Sequence, residues 1–221
     1  MVQSFTPSGK DATQNFVIEN TGEKILAVKI SAKLRGFDKT GKELREDTKD
    51  LTIYPPQFTV DPGKKRLVRV SYVGENKLEK ESAYRLIVQQ LPVEFKDGKQ
   101  KISSETVNIN FLLRYLASIY ITPPEVHAKI EVEDLKISAN EISFTLHNSG
   151  GAHQVLSRAQ LALREKDKET PFLKVPEEAI EKNLGAENLL AGMKKKYTLK
   201  VSNKLDPKKS WILDIKTDKA L

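Results

Sequence analysis

Three histidines, His127, His147 and His153, are the residues of this chain best suited to acid–base or metal chemistry. None has an acidic partner or a nucleophile at a recognisable spacing. His147 and His153 flank an Asn-Ser-Gly-Gly turn and could share a metal, but two histidines beside a turn are in most proteins ordinary surface-loop residues. No metal site is expected. The chain has no cysteine, which removes thiolate ligands, thiol nucleophiles and disulfides together. It has no G-x-S-x-G elbow, no phosphate loop and no supported pair of catalytic carboxylates. The expectation is no catalytic residue, no cofactor and no enzyme.

Charge offers the next kind of chemistry. Lysine and arginine number 37 against 30 acidic residues in 221, a net charge of +7. The excess is mostly lysine, scattered among carboxylates, which reads as a solvated surface. A nucleic-acid site would need clustered cations with stacking aromatics, and no such cluster or RNA-binding motif is present. Hydrophobic residues make up 38%, and no apolar run approaches the roughly 20 residues that span a bilayer. No integral membrane segment is expected. MVQSFTPSGK lacks a basic segment followed by an apolar one, so no secretory signal is visible. An exported protein of this sequence would be a mature form given a start Met.

The remaining candidate is apolar. In Val107-Asn-Ile-Asn-Phe-Leu-Leu-Arg-Tyr115, the side chains of Val107, Ile109, Phe111 and Leu113 point one way along an extended strand, and Asn108, Asn110 and Leu112 the other. Such a row can fill the strand's own core. It can equally be offered to a partner by strand addition, where main-chain hydrogen bonds supply affinity and alternate side chains fill a groove. Both readings need the same alternation, so the pattern leaves both open.

The elements that would carry these residues are strands. Leu26, Val28, Ile30, Ala32 and Leu34 share one face of a strand whose polar points include Lys24, Lys29 and Lys33, and Val68, Val70 and Tyr72 share a face of another. Tyr84 to Leu91 is a further strand, and Trp211, Leu213 and Ile215 alternate in the last one. Asp38–Gly41, Asp61-Pro62-Gly63 and Lys96–Lys99 read as turns. The one helix candidate is Pro176 to Leu184, acidic at its start, as the helix dipole favours.

The chain also echoes itself. Phe16-Val-Ile-Glu-Asn-Thr-Gly22 returns as Phe144-Thr-Leu-His-Asn-Ser-Gly150, and Gly63-Lys-Lys-Arg-Leu-Val-Arg-Val-Ser71 as Gly192-Met-Lys-Lys-Lys-Tyr-Thr-Leu-Lys-Val-Ser202. The matched order predicts two similar β-domains in tandem. The fold class expected is all-β, two tandem immunoglobulin-like β-sandwich domains. Thr122-Pro123-Pro124 marks the boundary, since two prolines cannot sit in a central strand, giving domains over 1–122 and 123–221.

One set of residues is more specific than these patterns. It comprises Phe5 to Gly9, Glu19-Asn20-Thr21-Gly22, Tyr54-Pro-Pro56, Pro62-Gly63, Val68-Arg69-Val70, Glu81, Tyr84-Arg85-Leu86, Leu91-Pro92, and Arg114-Tyr115 through Tyr120-Ile-Thr-Pro-Pro124. In order and spacing it resembles the PapD-like periplasmic chaperones that assemble surface pili, over most of the chain. The resemblance implies a non-enzymatic, periplasmic protein of two immunoglobulin-like domains. Its partner would be a pilus or fimbrial subunit lacking its own final strand, completed by the chaperone's donor strand until an outer-membrane usher exchanges it.

By position, Val107, Ile109, Phe111 and Leu113 match the donor row. Arg69 and Glu81 match family positions that form a structural salt bridge. Family members anchor the subunit's C-terminal carboxylate with two cations, and here those positions carry Ser4 and Ser118. Arg114, which ends the donor row, is the candidate substitute, with Lys10 and Arg85 near in sequence. The competing reading is a tandem immunoglobulin-like structural or adhesive protein that buries the Val107 row in its own sandwich. A dimer that caps its own edges is a further expectation for a free apolar strand.

Overall fold

The computed structural model describes residues 2–38, 41–92, 112–156, 159–184 and 188–217. It divides into two compact units: Met1–Asp38, Lys42–Leu78 and Ser82–Thr122 in the first, and Lys39–Gly41, Glu79–Glu81 and Pro123–Leu221 in the second. Both are β-sandwiches.

The first unit's strands are β1 (Val2–Phe5), β2 (Thr13–Glu19), β3 (Leu26–Phe37), β4 (Glu43–Asp47), β5 (Leu51–Tyr54), β6 (Gln57–Val60), β7 (Lys65–Tyr72), β8 (Ser82–Leu91) and β9 (Arg114–Ile121). One sheet runs β1-β9-β8-β3-β4, with β6 also paired to β3, and the other runs β2-β7-β5. Strand alternation sends Val28, Ile30, Tyr84, Leu86, Ile119 and Ile121 inward from the larger sheet, to meet Phe16, Val68, Val70 and Tyr72 from the smaller. Each such aliphatic side chain contributes about 1.5–3 kcal/mol on full burial. The chain passes between the sheets at the Pro-Pro step: β5 lies in one and β6 in the other.

In the second unit the strands are β10 (Ile130–Ser138), β11 (Glu141–Asn148), β12 (Gln154–Val155), β13 (Gln160–Glu165), β14 (Leu173–Lys174), β15 (Asn188–Leu189), β16 (Lys194–Lys200) and β17 (Trp211–Lys216). They form sheets β10-β11-β16 and β14-β13-β17 and a short β12-β15 pair. Ile142, Phe144, Leu146, Tyr197 and Leu199 meet Leu161, Leu163 and Leu213 in its core. The expected helix is present as α1 (Glu177–Asn183), with Glu177 and Glu178 in its first turn and Lys182 in its last. Ile180 anchors it to the core.

The two sequence echoes are hydrogen-bonded partners within each unit. Phe16 lies opposite Val68 and Phe144 opposite Tyr197, each five residues beyond its echo glycine. Gly63 N–H donates to the Asn20 carbonyl at 2.9 Å, and Gly192 N–H to that of Asn148 at 2.8 Å. Both glycines have positive φ, 68° and 75°, a conformation that a Cβ penalises.

The asparagines have one shared task. Asn20 Nδ2 donates to the carbonyls of Lys24 and Val60, at 2.8 Å each. Asn148 Nδ2 donates to Ala152 and Leu189, at 2.7 and 2.9 Å. Their Oδ1 atoms accept the N–H groups of Gly22 and Gly150. The repeated Asn-hydroxyl-Gly is thus a buried loop clamp, used once per unit.

Candidate functional site

Strand β9 ends the first unit and carries the described part of the expected site. β8 lies along one side of it, pairing Arg114 with Gln89 and Ile121 with Ser82. On the other side β1 pairs only with Ser118–Ile121. From Arg114 to Ala117 no described strand occupies that side, so the backbone there presents an open edge.

An apolar trough of about 800 Å³ lies between the two sheets at this edge. Ile18, Val28, Val88, Leu113, Tyr115 and Ala117 line it, among others. Tyr115 is 64% exposed, Leu113 51% and Leu116 41%. Leu113 is fixed to the end of β8, its carbonyl accepting the Gln90 N–H at 2.9 Å. By strand parity it shares the face of Tyr115, Ala117, Ile119 and Ile121, of which the last three are buried. The core face of β9 therefore continues past the packed core into an exposed apolar ledge.

Of the expected donor row, Leu113 is the member within the described residues. Val107, Ile109 and Phe111 lie outside the described residues. Arg114 is exposed at the first position of β9.

Ser4 and Ser118 sit on adjacent strands, Ser4 in register with Tyr120 and Ser118 with Val2. Ser118 is buried, and its hydroxyl accepts a hydrogen bond from Arg85 Nη1 at 2.6 Å. Register explains the contact, because Arg85 stands directly opposite Ser118 on β8. The guanidinium nearest the Ser118 position is thus supplied by the neighbouring strand.

Arg69 and Glu81 sit in different settings. Val68 and Val70 take the core face of β7, so alternation turns Arg69 outward, in register with Asn15 and Tyr54. Glu81 is buried, and its carboxylate oxygens lie 2.8 and 2.9 Å from His153 Nδ1. The side chains are 2% and 7% exposed. Glu81 N–H also donates to the Gly151 carbonyl at 2.8 Å. Glu81 and His153, 72 residues apart in the chain, thus form a buried pair.

This corrects the sequence reading of the histidines in two ways. His153 is a buried residue, not a surface-loop residue. His147 and His153 both have carboxylate partners, His147 through Glu133 at 2.8 Å. Those partners come from the β10–β11 hairpin and from a segment far back in the chain, which local spacing does not reveal. Among the described residues no group of three or more His, Cys, Asp or Glu is placed to hold a metal ion. No described helix is long and apolar enough to cross a membrane.

A model of the pili and flagellar-assembly chaperone family, PapD N-terminal domain, matches residues 5–127. No curated protein matches. Among solved structures, the chain is similar to one from a chaperone–tip adhesin complex of CFA/I fimbriae, at 14% identity and TM-score 0.61, covering 97% of this chain and 95% of that one. It is similar to one from the Acinetobacter baumannii CsuC–CsuE chaperone–tip subunit complex, at 16% identity and TM-score 0.58, covering 88% and 85%. It also resembles CfaA, a class 5 fimbriae chaperone, at 13% identity and TM-score 0.57, covering 93% and 92%. At such identities the structures establish a shared fold. With more than half of its length matched by the family model, the chain belongs to the pili and flagellar-assembly chaperone family, a non-enzymatic class.

Proposed function

We propose that this protein is a periplasmic chaperone that binds pilus or fimbrial subunits, stabilises them by donor-strand complementation and delivers them to an outer-membrane usher. The observation that carries the reading is the open half of β9 beside the apolar trough. An incomplete β-subunit needs two things from a partner, a strand edge to hydrogen-bond and apolar side chains to fill its groove. Arg114–Ala117 offers the first, and Leu113, Tyr115 and Leu116 begin the second. A patch of this kind on a monomer marks an interaction surface.

In this reading Val107, Ile109, Phe111 and Leu113 form the donor row and Arg114 is the candidate anchor for the client's carboxylate. Arg114 is exposed at the first position of β9, which supports that reading.

The experiment is co-purification from the native cell envelope, comparing wild type with the Ile109→Asp/Phe111→Asp double variant. The expected result is one small β-rich partner with wild type and none with the variant, both remaining folded. Truncating a buried phenylalanine in such an interface costs on the order of 3 kcal/mol, roughly a hundredfold in affinity. Equal recovery of the partner by the folded variant would overturn the donor-strand mechanism.

A further inference from the structure

Tyr115 is the residue of the exposed ledge that combines a large apolar body with a polar tip. It is 64% exposed and stands opposite Val88 of β8, on the open half of β9. With Ile18, Val88 and Leu113 it lines the apolar trough. Its neighbours on the ledge, Leu113 and Leu116, offer only carbon.

Other tyrosines of the first unit show what burial demands. Tyr72, Tyr84 and Tyr120 are buried, and each hydroxyl has a protein partner. Tyr84 donates to Asp50 Oδ2 at 2.8 Å and Tyr72 to the Glu75 carbonyl at 3.2 Å. Tyr120 accepts from Arg35 Nη1 at 3.1 Å. Burial without such a bond leaves a hydroxyl desolvated and uncompensated. The Tyr115 hydroxyl has no protein partner among the described residues, and on an exposed side chain it needs none.

Strand addition changes that setting. A client strand paired to Arg114–Ala117 runs about 4.8 Å from β9, so its side chains flank the Tyr115 ring as cross-strand neighbours. The ring passes from water into the joint, and the hydroxyl goes with it. Leu113 and Leu116 gain from the same burial with nothing to satisfy. Tyr115 gains fully only when the client offers a hydrogen-bonding group where its hydroxyl ends. A ring with that requirement discriminates where its aliphatic neighbours are permissive, and tyrosine is among the residues that dominate interface energetics.

We propose that Tyr115 is a specificity-determining contact for the client: its ring fills an apolar-walled pocket, and its hydroxyl bonds to a polar group that the client places at the end of that pocket. The inference rests on the donor-strand reading above and narrows it to a class of partner. A subunit with a polar group at this position is favoured. A subunit wholly apolar there is disfavoured, because it leaves a buried hydroxyl unpaired.

The test is a competition for the partner in native cell-envelope extract. Full-length wild type and one variant at a time carry different affinity tags and are present in equal, excess amounts. The variant's share should fall about tenfold for Tyr115→Phe, which loses the hydroxyl alone, and about a hundredfold for Tyr115→Ala, which loses the ring as well. Tyr54→Phe, at the other strongly exposed tyrosine (74%), should compete as wild type does. In the purified wild-type complex the Tyr115 hydroxyl proton should be protected from exchange with water and give a resonance that the Tyr115→Phe complex lacks.

If Tyr115→Phe competes equally with wild type, or no such resonance is present, the hydroxyl is not read and the proposal falls. A loss for Tyr54→Phe as large as that for Tyr115→Phe overturns it too, since the effect is then not local to the ledge. Ile109→Asp/Phe111→Asp separates this inference from the reading beneath it. If that variant loses the partner while Tyr115→Phe keeps it in full, only the role of Tyr115 fails. If that variant keeps the partner, the donor-strand reading fails and this inference with it.

Discussion

Glu43 is held by opposing influences of different sizes. Burial alone would raise its pKa, but hydrogen bonds from Arg85 and Arg45 and the charges of Arg85 and Arg35 outweigh it, bringing the group from an ordinary 4.5 to about 2. A depressed carboxylate pKa stabilises the folded state at any pH above the unfolded value, and that contribution is lost as pH falls through the folded value. Glu43→Gln should therefore destabilise the first unit by about 1–2 kcal/mol at pH 7, an allowance that includes solvent screening. The penalty should shrink between pH 4.5 and pH 2, because wild type loses the same contribution there. Urea denaturation at a series of pH values checks this, and a pH-independent penalty would contradict it. The loop asparagines give a second test at this scale. Asn20→Ala or Asn148→Ala leaves two carbonyls without their donors, at an expected cost of about 2–3 kcal/mol. Trp211, the one tryptophan, lies in the second unit and reports the Asn148 variant by fluorescence.

At the scale of the element, β9 divides into two halves with different work. Ala117 to Ile121 is buried, while Arg114 to Leu116 is exposed. Substitutions in the two halves should behave oppositely. Leu113→Asp/Tyr115→Asp changes residues already more than half exposed, so stability should move by about 1 kcal/mol or less while client capture fails. Ile119→Asp places a charge in the core and should prevent the first unit from folding. Thermal melts run beside the co-purification separate these outcomes. If the double variant melted as early as Ile119→Asp, the ledge would be core and the proposed division of β9 would be wrong. Alternation made much of this legible. Val68, Val70 and Tyr72 share one face by alternation, and that face is buried; the acidic start of α1 marked the helix. The partners of Glu81 and His147 were not legible, because cross-strand register and long-range packing bring those groups together.

For the whole molecule, two sandwiches built on one plan follow from the duplicated clamp and its glycine. An exposed edge beside an apolar trough has a consequence for the assembled protein as well, since unpaired strands invite pairing with another copy. Sedimentation at two concentrations should show monomer at the lower and dimer at the higher, with Leu113→Asp/Tyr115→Asp remaining monomeric at both. A concentration-independent monomer would remove self-capping from the picture. By itself the sequence determined the all-β class, the tandem plan and the family, because these rest on alternation, turn residues and ordered motifs that are local properties of the chain. It also determined that an alternating apolar row, Val107 to Leu113, precedes Arg114, but not whether that row is used inside or outside. Only the tertiary structure decided that Arg85 reaches Ser118, that Glu43 gathers three arginines, that Glu81 meets His153 and that no described strand flanks the second side of Arg114–Ala117. Those depend on register and on which strand lies beside which, and side chains separated by tens of residues meet only when the sheets are assembled.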